Sequence, residues 1–128
     1  MSLTQLGHPS KLPESPDAAV LETVPNPHPR LSYVVRFTCP EFTSLCPVTG
    51  QPDFATITIV YVPRRLCVEM KSLKLYFFSY RDRGIFYEAV VNTILDDLVA
   101  VLHPRRMSVT GAFSVRGGTA ATVTASHP

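Results

Sequence analysis

Thr56 and Thr58 alternate with Ile57 and Ile59 inside the run Ala55–Val62. A two-residue period predicts a strand with one buried face. Pro63 ends it, because proline cannot donate to a ladder. Residues 31–38, Leu-Ser-Tyr-Val-Val-Arg-Phe-Thr, alternate more loosely and predict a second strand, closed by Cys39-Pro40. From Cys67 to Tyr80 the period changes. Met70, Leu73, Phe77 and Tyr80 recur at helical spacing, with Lys71 and Lys74 three apart on one flank. Gly84 interrupts the pattern. Phe86, Val90, Ile94, Leu98 and Val101 mark a longer helix, with Asp96 and Asp97 turned to solvent and His103-Pro104 at its end. Met107–Val115 and Thr119–Ala125 predict two more strands joined through Arg116-Gly117-Gly118. The order ββααββ predicts an α+β domain, with two helices paired antiparallel over one face of an antiparallel sheet. Such a sheet has open edges, which edge-to-edge association of subunits would close.

Residues 1–29 carry six of the 12 prolines and keep no helical or strand period. They predict an extended arm, of which Leu21–His28 can dock on a neighbour; residues 30–128 form the single folded domain. Hydrophobic residues at 45% and charged residues at 17% fit a globular chain with a low-charge surface. The net charge of +2 is too small to argue for nucleic-acid binding and no dense basic run supports it, so no direct nucleic-acid partner is expected. Cys39, Cys46 and Cys67 form no C-x-x-C pair. With no signal peptide or membrane-length apolar run visible, free thiols in a reducing cytoplasm are expected. The spacing of the cysteines and of His8, His28, His103 and His127 does not suit zinc, so no metal is expected.

The stretch Phe42–Phe54 holds the most distinctive chemistry. Two prolines and a Thr-Gly turn signal set Cys46 and Asp53 on either side of a turn. A thiol beside an acid suits covalent addition to an electrophilic carbon, the acid supplying a proton. The same residues also fit a small buried hydrophobe and a turn-forming Asp. Glu69-Met70-Lys71-Ser72-Leu73-Lys74 opens a helix. Glu69 reads either as an acid favoured by the helix dipole or as a grip on a polar ligand edge, the lysines then meeting a phosphate. Arg116-Gly117-Gly118 reads as a hairpin turn or as a phosphate grip with close backbone approach. Phe86-Tyr87-Glu88 reads as core aromatics with a surface Glu, or as a seat for a planar heterocycle.

Taken in order, Leu45-Cys46-Pro47, Gln51-Pro52-Asp53-Phe54, Glu69 through Tyr76, Phe86-Tyr87-Glu88 and Arg116-Gly117-Gly118 resemble the NADPH-dependent 7-cyano-7-deazaguanine reductases of queuosine biosynthesis, in their short single-module form. The resemblance spans about Leu21 to Ala125. It implies a tunnelling fold whose subunits join edge to edge in rings, two pentamers stacked, with sites between subunits. It implies Cys46 as the nucleophile that forms a thioimide with the nitrile and Asp53 as the proton donor. Val68, Glu69, Met70, Tyr87 and Glu88 would surround the deazaguanine. Lys71, Lys74, Arg116 and Gly117 would contact the nucleotide of NADPH, a cofactor that no Gly-x-Gly-x-x-Gly fingerprint announces here.

Two positions depart from the family pattern. Met70 stands where Ser or Leu is usual, and Tyr87 stands where His usually precedes the substrate Glu. Other readings are an amidinotransferase acting on a tRNA-borne nitrile, against which the Glu69–Lys74 signature argues, and a non-catalytic oligomeric binder of purine-like rings, for which Cys46 would be superfluous.

Overall fold

Along Pro52–Val62 the buried residues are Asp53, Ala55, Ile57, Ile59 and Tyr61, the alternation expected of a half-buried strand, and Val62 is buried after them. This computed structural model describes residues 20–128; of the arm expected over residues 1–29, residues 1–19 lie outside the described residues. The elements are β1 (Thr23–Pro25), β2 (Val35–Leu45), β3 (Pro52–Val62), β4 (Leu66–Val68), α1 (Met70–Phe78), α2 (Tyr87–Leu102), β5 (Arg106–Arg116) and β6 (Thr119–His127). Four of them form an antiparallel sheet in the order β2-β3-β5-β6, and β1 pairs with β4 in a separate two-stranded ladder. The α+β architecture with two helices is thus the one the sequence predicts.

Each helix is fastened to the sheet by a different device. On α2, Val90, Val91, Ile94, Leu95, Leu98 and Leu102 are buried, and the helix lies over β5 and β6. Gly111 in β5 permits that approach: a Cβ there would meet Val91 Cγ2 and Phe113 Cε2 at 2.8 Å. His103 closes α2 in the left-handed region at φ 46°, its N–H donating to Val99 O at 2.9 Å. The end of α1 is held on β2 by aromatic contacts, with Phe42 6.2 Å from Phe77 and 5.5 Å from Tyr80 between ring centroids. The β5–β6 turn is the two-residue hairpin expected at Gly117-Gly118, with φ of 59° and 76°. Those angles suit a turn with both central residues left-handed, which glycine enters without strain.

Four expectations need correction. Cys39-Pro40 does not end a strand over 31–38, because β2 runs on to Leu45 with a register shift between Cys39 and Phe42. An outer strand tolerates this: Pro40 sits at the bulge, where no ladder hydrogen bond is demanded of it. The first helix does not begin at Cys67. Leu66–Val68 is strand β4, and Glu69 starts the helix as its cap. Thr23–Pro25 of the expected arm docks on the same chain as β1, with Leu21 buried in the core. Asp97 is not simply solvent-directed, since its Oδ2 accepts from the buried Tyr76 hydroxyl at 2.5 Å and ties α2 to α1. The expected antiparallel helix pair is represented by this link; the main packing of each helix is against the sheet.

Candidate active site

The β2–β3 turn is a closed loop. The Cys46 N–H donates to Gln51 O and the Gly50 N–H to Cys46 O, both at 2.8 Å, with Gly50 at φ 73°. From outside the hairpin, residues 83–85 brace it. Leu45 N–H donates to Arg83 O at 2.9 Å and Ile85 N–H to Leu45 O at 3.0 Å. Gly84 lies so close that a Cβ would stand 3.3 Å from Pro47 Cα. The loop therefore holds Cys46 in one place, as its prolines and Thr-Gly step suggest.

Cys46 is half-buried. The Thr49 hydroxyl, then the backbone N–H groups of Thr49 and Val48, stabilise its thiolate, and the Arg116 cation adds to them. Partial burial opposes these effects but loses, and the thiol is pulled down to about 7. Burial instead pushes the Cys39 thiol up. A lowered thiol pKa puts thiolate into the neutral range, and thiolate rises with pH through the midpoint. Alkylation of Cys46 by iodoacetamide, followed by mass spectrometry, will rise through a midpoint near pH 7, whereas an ordinary thiol titrates near about 8.5. Thr49→Ala will move that midpoint upward. A wild-type midpoint at the ordinary value would contradict this account of the loop.

Asp53 is 5% exposed and lies at the start of β3. Arg116 Nη1 donates to its Oδ1 at 2.5 Å, and Tyr87 OH donates to the same oxygen at 3.2 Å. Among the described residues all Asp53 side-chain hydrogen bonds fall on Oδ1. One carboxylate oxygen is thus fixed, and the other takes no part in these bonds. Arg116 also donates through Nη2 to Thr49 Oγ1 at 2.9 Å and to Gln51 Oε1 at 2.7 Å. One guanidinium at the end of β5 therefore joins the loop that carries the thiol to the acid. Tyr87, at the first turn of α2, stacks on Phe113 with ring centroids 3.9 Å apart and planes at 13°. Burial and the Asp53 charge raise the Tyr87 pKa, so its phenol stays protonated as a donor.

Of the sequence-predicted residues, Cys46, Asp53, Tyr87 and Arg116 come together here. Gly117 follows Arg116 in the hairpin, with open space over its Cα. Glu88 is exposed on the first turn of α2, beside Tyr87. Val68, Glu69, Met70, Lys71 and Lys74 form a second group where β4 meets α1. Glu69 serves as the helix cap: Oε2 accepts from Lys71 N and Oε1 from Ser72 N, both at 2.8 Å. It is 6% exposed and already bonded to the start of the helix, so a ligand would have to share its oxygens. Met70 and Lys74 open onto a groove of about 430 Å³ between β2 and α1, lined also by Phe37, Cys39, Leu73 and Phe77. Sequence reasoning missed Thr49, Gln51 and Phe113 as site residues. Thr49 carried a signal, a hydroxyl three residues after the thiol inside a turn; Phe113 carried none.

The sequence profile of the family described as QueF-like protein matches residues 52–128. The chain belongs to the QueF-like family. This QueF-like chain is 56% identical over 112 residues to the NADPH-dependent 7-cyano-7-deazaguanine reductase of Magnetococcus marinus, covering 88% of each. It is 60% identical over 107 residues to the enzyme of that name from Alkalilimnicola ehrlichii, covering 84% of this chain and 83% of that one. Among solved structures it resembles the apo form of an archaeosine synthase QueF-Like, with 27% identity and a TM-score of 0.68 over 73% of this chain and 91% of that one. The family resemblance read from the motifs is borne out. No helix among the described residues of the QueF-like chain is long and apolar enough to cross a membrane.

Proposed function

We propose that this chain reduces the nitrile of 7-cyano-7-deazaguanine to the aminomethyl group of 7-aminomethyl-7-deazaguanine, using NADPH, in queuosine biosynthesis. The names of its relatives support the reaction. The observation that carries it at the level of chemistry is the Cys46 thiol, lowered to about 7, on a loop that Arg116 joins to a buried acid. A nitrile carbon is a poor hydride acceptor, and addition of a thiolate makes it a better one. The Cys46 thiol passes its proton to the Asp53 carboxylate as its sulfur forms the new S–C bond, one C≡N π pair moves to nitrogen, and Asp53 hands that proton on to the nitrogen. The product of this step is a thioimide. Arg116 and Tyr87 hold Asp53 Oδ1, which aims Oδ2 at the substrate.

Bound NADPH supplies hydride, twice for each nitrile. The residues present fit its phosphates in part. Lys71 and Lys74 project from the first turns of α1, and the exposed Gly117-Gly118 turn leaves its backbone open to a ligand. Arg116 fits better as the organiser of the Cys46–Asp53 pair than as a phosphate grip, because its Nη donors already serve the loop. Glu88 and Glu69 bind the deazaguanine edge, with Val68, Met70 and Tyr87 around it.

Within one chain the group at β4–α1 and the group at Cys46 are separate. Their union across subunits is supported by the open edges of β2 and β6, the outer strands of the sheet. The active species is a homo-oligomer of two stacked pentameric rings, and a fully active monomer by light scattering would refute it. The free thiols and small net charge support a cytoplasmic setting and a free base as substrate. Residues 30–128 form the catalytic domain, to which the arm adds β1.

Tyr87 has a role of its own. Tyr87→Phe keeps the stack on Phe113 but loses the hydrogen bond to Asp53. Single-turnover assays will show thioimide formation, which uses Asp53, slowed about tenfold, with the reductive steps slowed as well. Tyr87→His will be active with a shifted pH–rate profile, since His titrates near about 6.5. Unchanged phases and pH dependence in Tyr87→Phe would leave this residue as packing alone.

The reading is tested by mixing protein, NADPH and the nitrile and following nicotinamide absorbance with product mass. Two NADPH oxidised per aminomethyl product is the expected result. An amidine formed from an amine donor without NADPH oxidation would favour the amidinotransferase reading instead. That alternative is weakened by identities of 56–60% to reductases against 27% to the archaeosine synthase.

A further inference from the structure

No step of the proposed nitrile reduction uses Ser44. This residue is fully buried in β2, and its Oγ is the one buried side-chain N or O atom among the described residues without a hydrogen-bond partner. An unsatisfied buried hydroxyl is destabilising, and folded chains retain few of them. Ser44 stands directly opposite Asp53 in the β2–β3 ladder. Residues so opposed project to the same face, with Cβ atoms about 4.5–5.5 Å apart. The pairing continues through the bond from Cys46 N–H to Gln51 O. By the two-residue period, Ser44 and Cys46 share a face with Asp53 and Gln51. The idle hydroxyl therefore lies level with the acid, on the face that also carries Cys46 and the core residues Phe42 and Ala55.

We propose that Ser44 is a positioning residue for proton transfer: its hydroxyl, unpartnered at rest, turns about its Cα–Cβ bond to hydrogen-bond Asp53 Oδ2 during addition to the nitrile. The inference rests on the nitrile-reduction reading for where the proton goes. Asp53 holds the thiol's proton during addition and is a carboxylate afterwards. A hydroxyl can accept from the acid and, by rotating, donate to the carboxylate. Arg116 only donates, and both it and Tyr87 act on Oδ1. Ser44 lets the same carboxyl remain hydrogen-bonded through both states. The groups facing Asp53 from the surrounding elements are Arg116 on β5, Tyr87 on α2, and Cys46 and Gln51 on the loop.

Ser44→Ala separates this role from simple packing. Deleting an idle buried hydroxyl would leave the melting temperature unchanged or raised and the kinetics untouched. The proposal predicts an unchanged or raised melting temperature together with thioimide formation slowed about tenfold in single turnover. The KM for the nitrile will change little, the pH–rate profile will shift, and Ser44→Thr will restore much of the rate. Wild-type kinetics and pH profile in Ser44→Ala would overturn the role, as would a rate loss that tracks a lower melting temperature without rescue by Thr. A crystal structure of the nitrile adduct decides the geometry. Ser44 Oγ within hydrogen-bond distance of Asp53 Oδ2 is expected there; a hydroxyl that keeps no bond to Asp53 would overturn the proposal. A wild type that forms no adduct with the nitrile would refute the functional reading and this role with it, whereas an adduct formed at the wild-type rate by Ser44→Ala would refute this role alone.

Discussion

Cys46→Ala will lose at least about 10⁴-fold in turnover, the scale on which removal of a covalent nucleophile acts. The fold will survive, because Cys46 is half-buried on a turn and its hydrogen bonds to Gln51 and Gly50 are made by its backbone. Neither remaining thiol can substitute. Cys39 lies at the bulge of β2 with its pKa raised by burial, and Cys67 sits in β4, 3.7 Å from the Tyr33 hydroxyl. Steady-state NADPH oxidation by the variant checks this. Activity within tenfold of wild type would remove Cys46 from the chemistry.

Asp53→Asn will lower turnover by about 10²–10⁴-fold, the usual contribution of a general acid. Asn keeps the shape and can still accept the Tyr87 hydroxyl, but it cannot deliver a proton. The variant also leaves Arg116 without its ion-pair partner. That side chain is 33% exposed and keeps Thr49 and Gln51 as acceptors, so the cost to folding is limited. Binding of the nitrile, measured by titration calorimetry, will be substantially retained. Wild-type turnover would exclude the proton-donor role, and loss of binding in step with turnover would make Asp53 a substrate-binding residue instead.

Elements longer than about two periods were legible in the sequence. The Thr/Ile alternation of β3 and the apolar spacing along α2 identify their elements, because burial of one face imposes the period. The three-residue strands β1 and β4 are too short to carry one, and β4 runs into the helical residues of α1 without a break. Cys39-Pro40 misleads because a proline stops a central strand but not a bulged outer one. Within the site, Cys46 and Asp53 share one turn and could be paired by eye. The bond from Arg116 to Asp53 joins residues 63 apart and exists only because β5 lies beside β3. Glu69 illustrates a further limit. The acid at a helix start that suits a ligand is the same acid that caps the helix, and spacing cannot separate the two uses.

The central claim is that Cys46 bonds covalently to the nitrile. Intact-mass measurement after mixing the wild-type protein with 7-cyano-7-deazaguanine, without NADPH, tests it most directly. One adduct of the nitrile's mass per chain, mapped by peptide analysis to Cys46, is the predicted result. An unmodified chain under conditions that support turnover, or an adduct on Cys39 or Cys67, would contradict it.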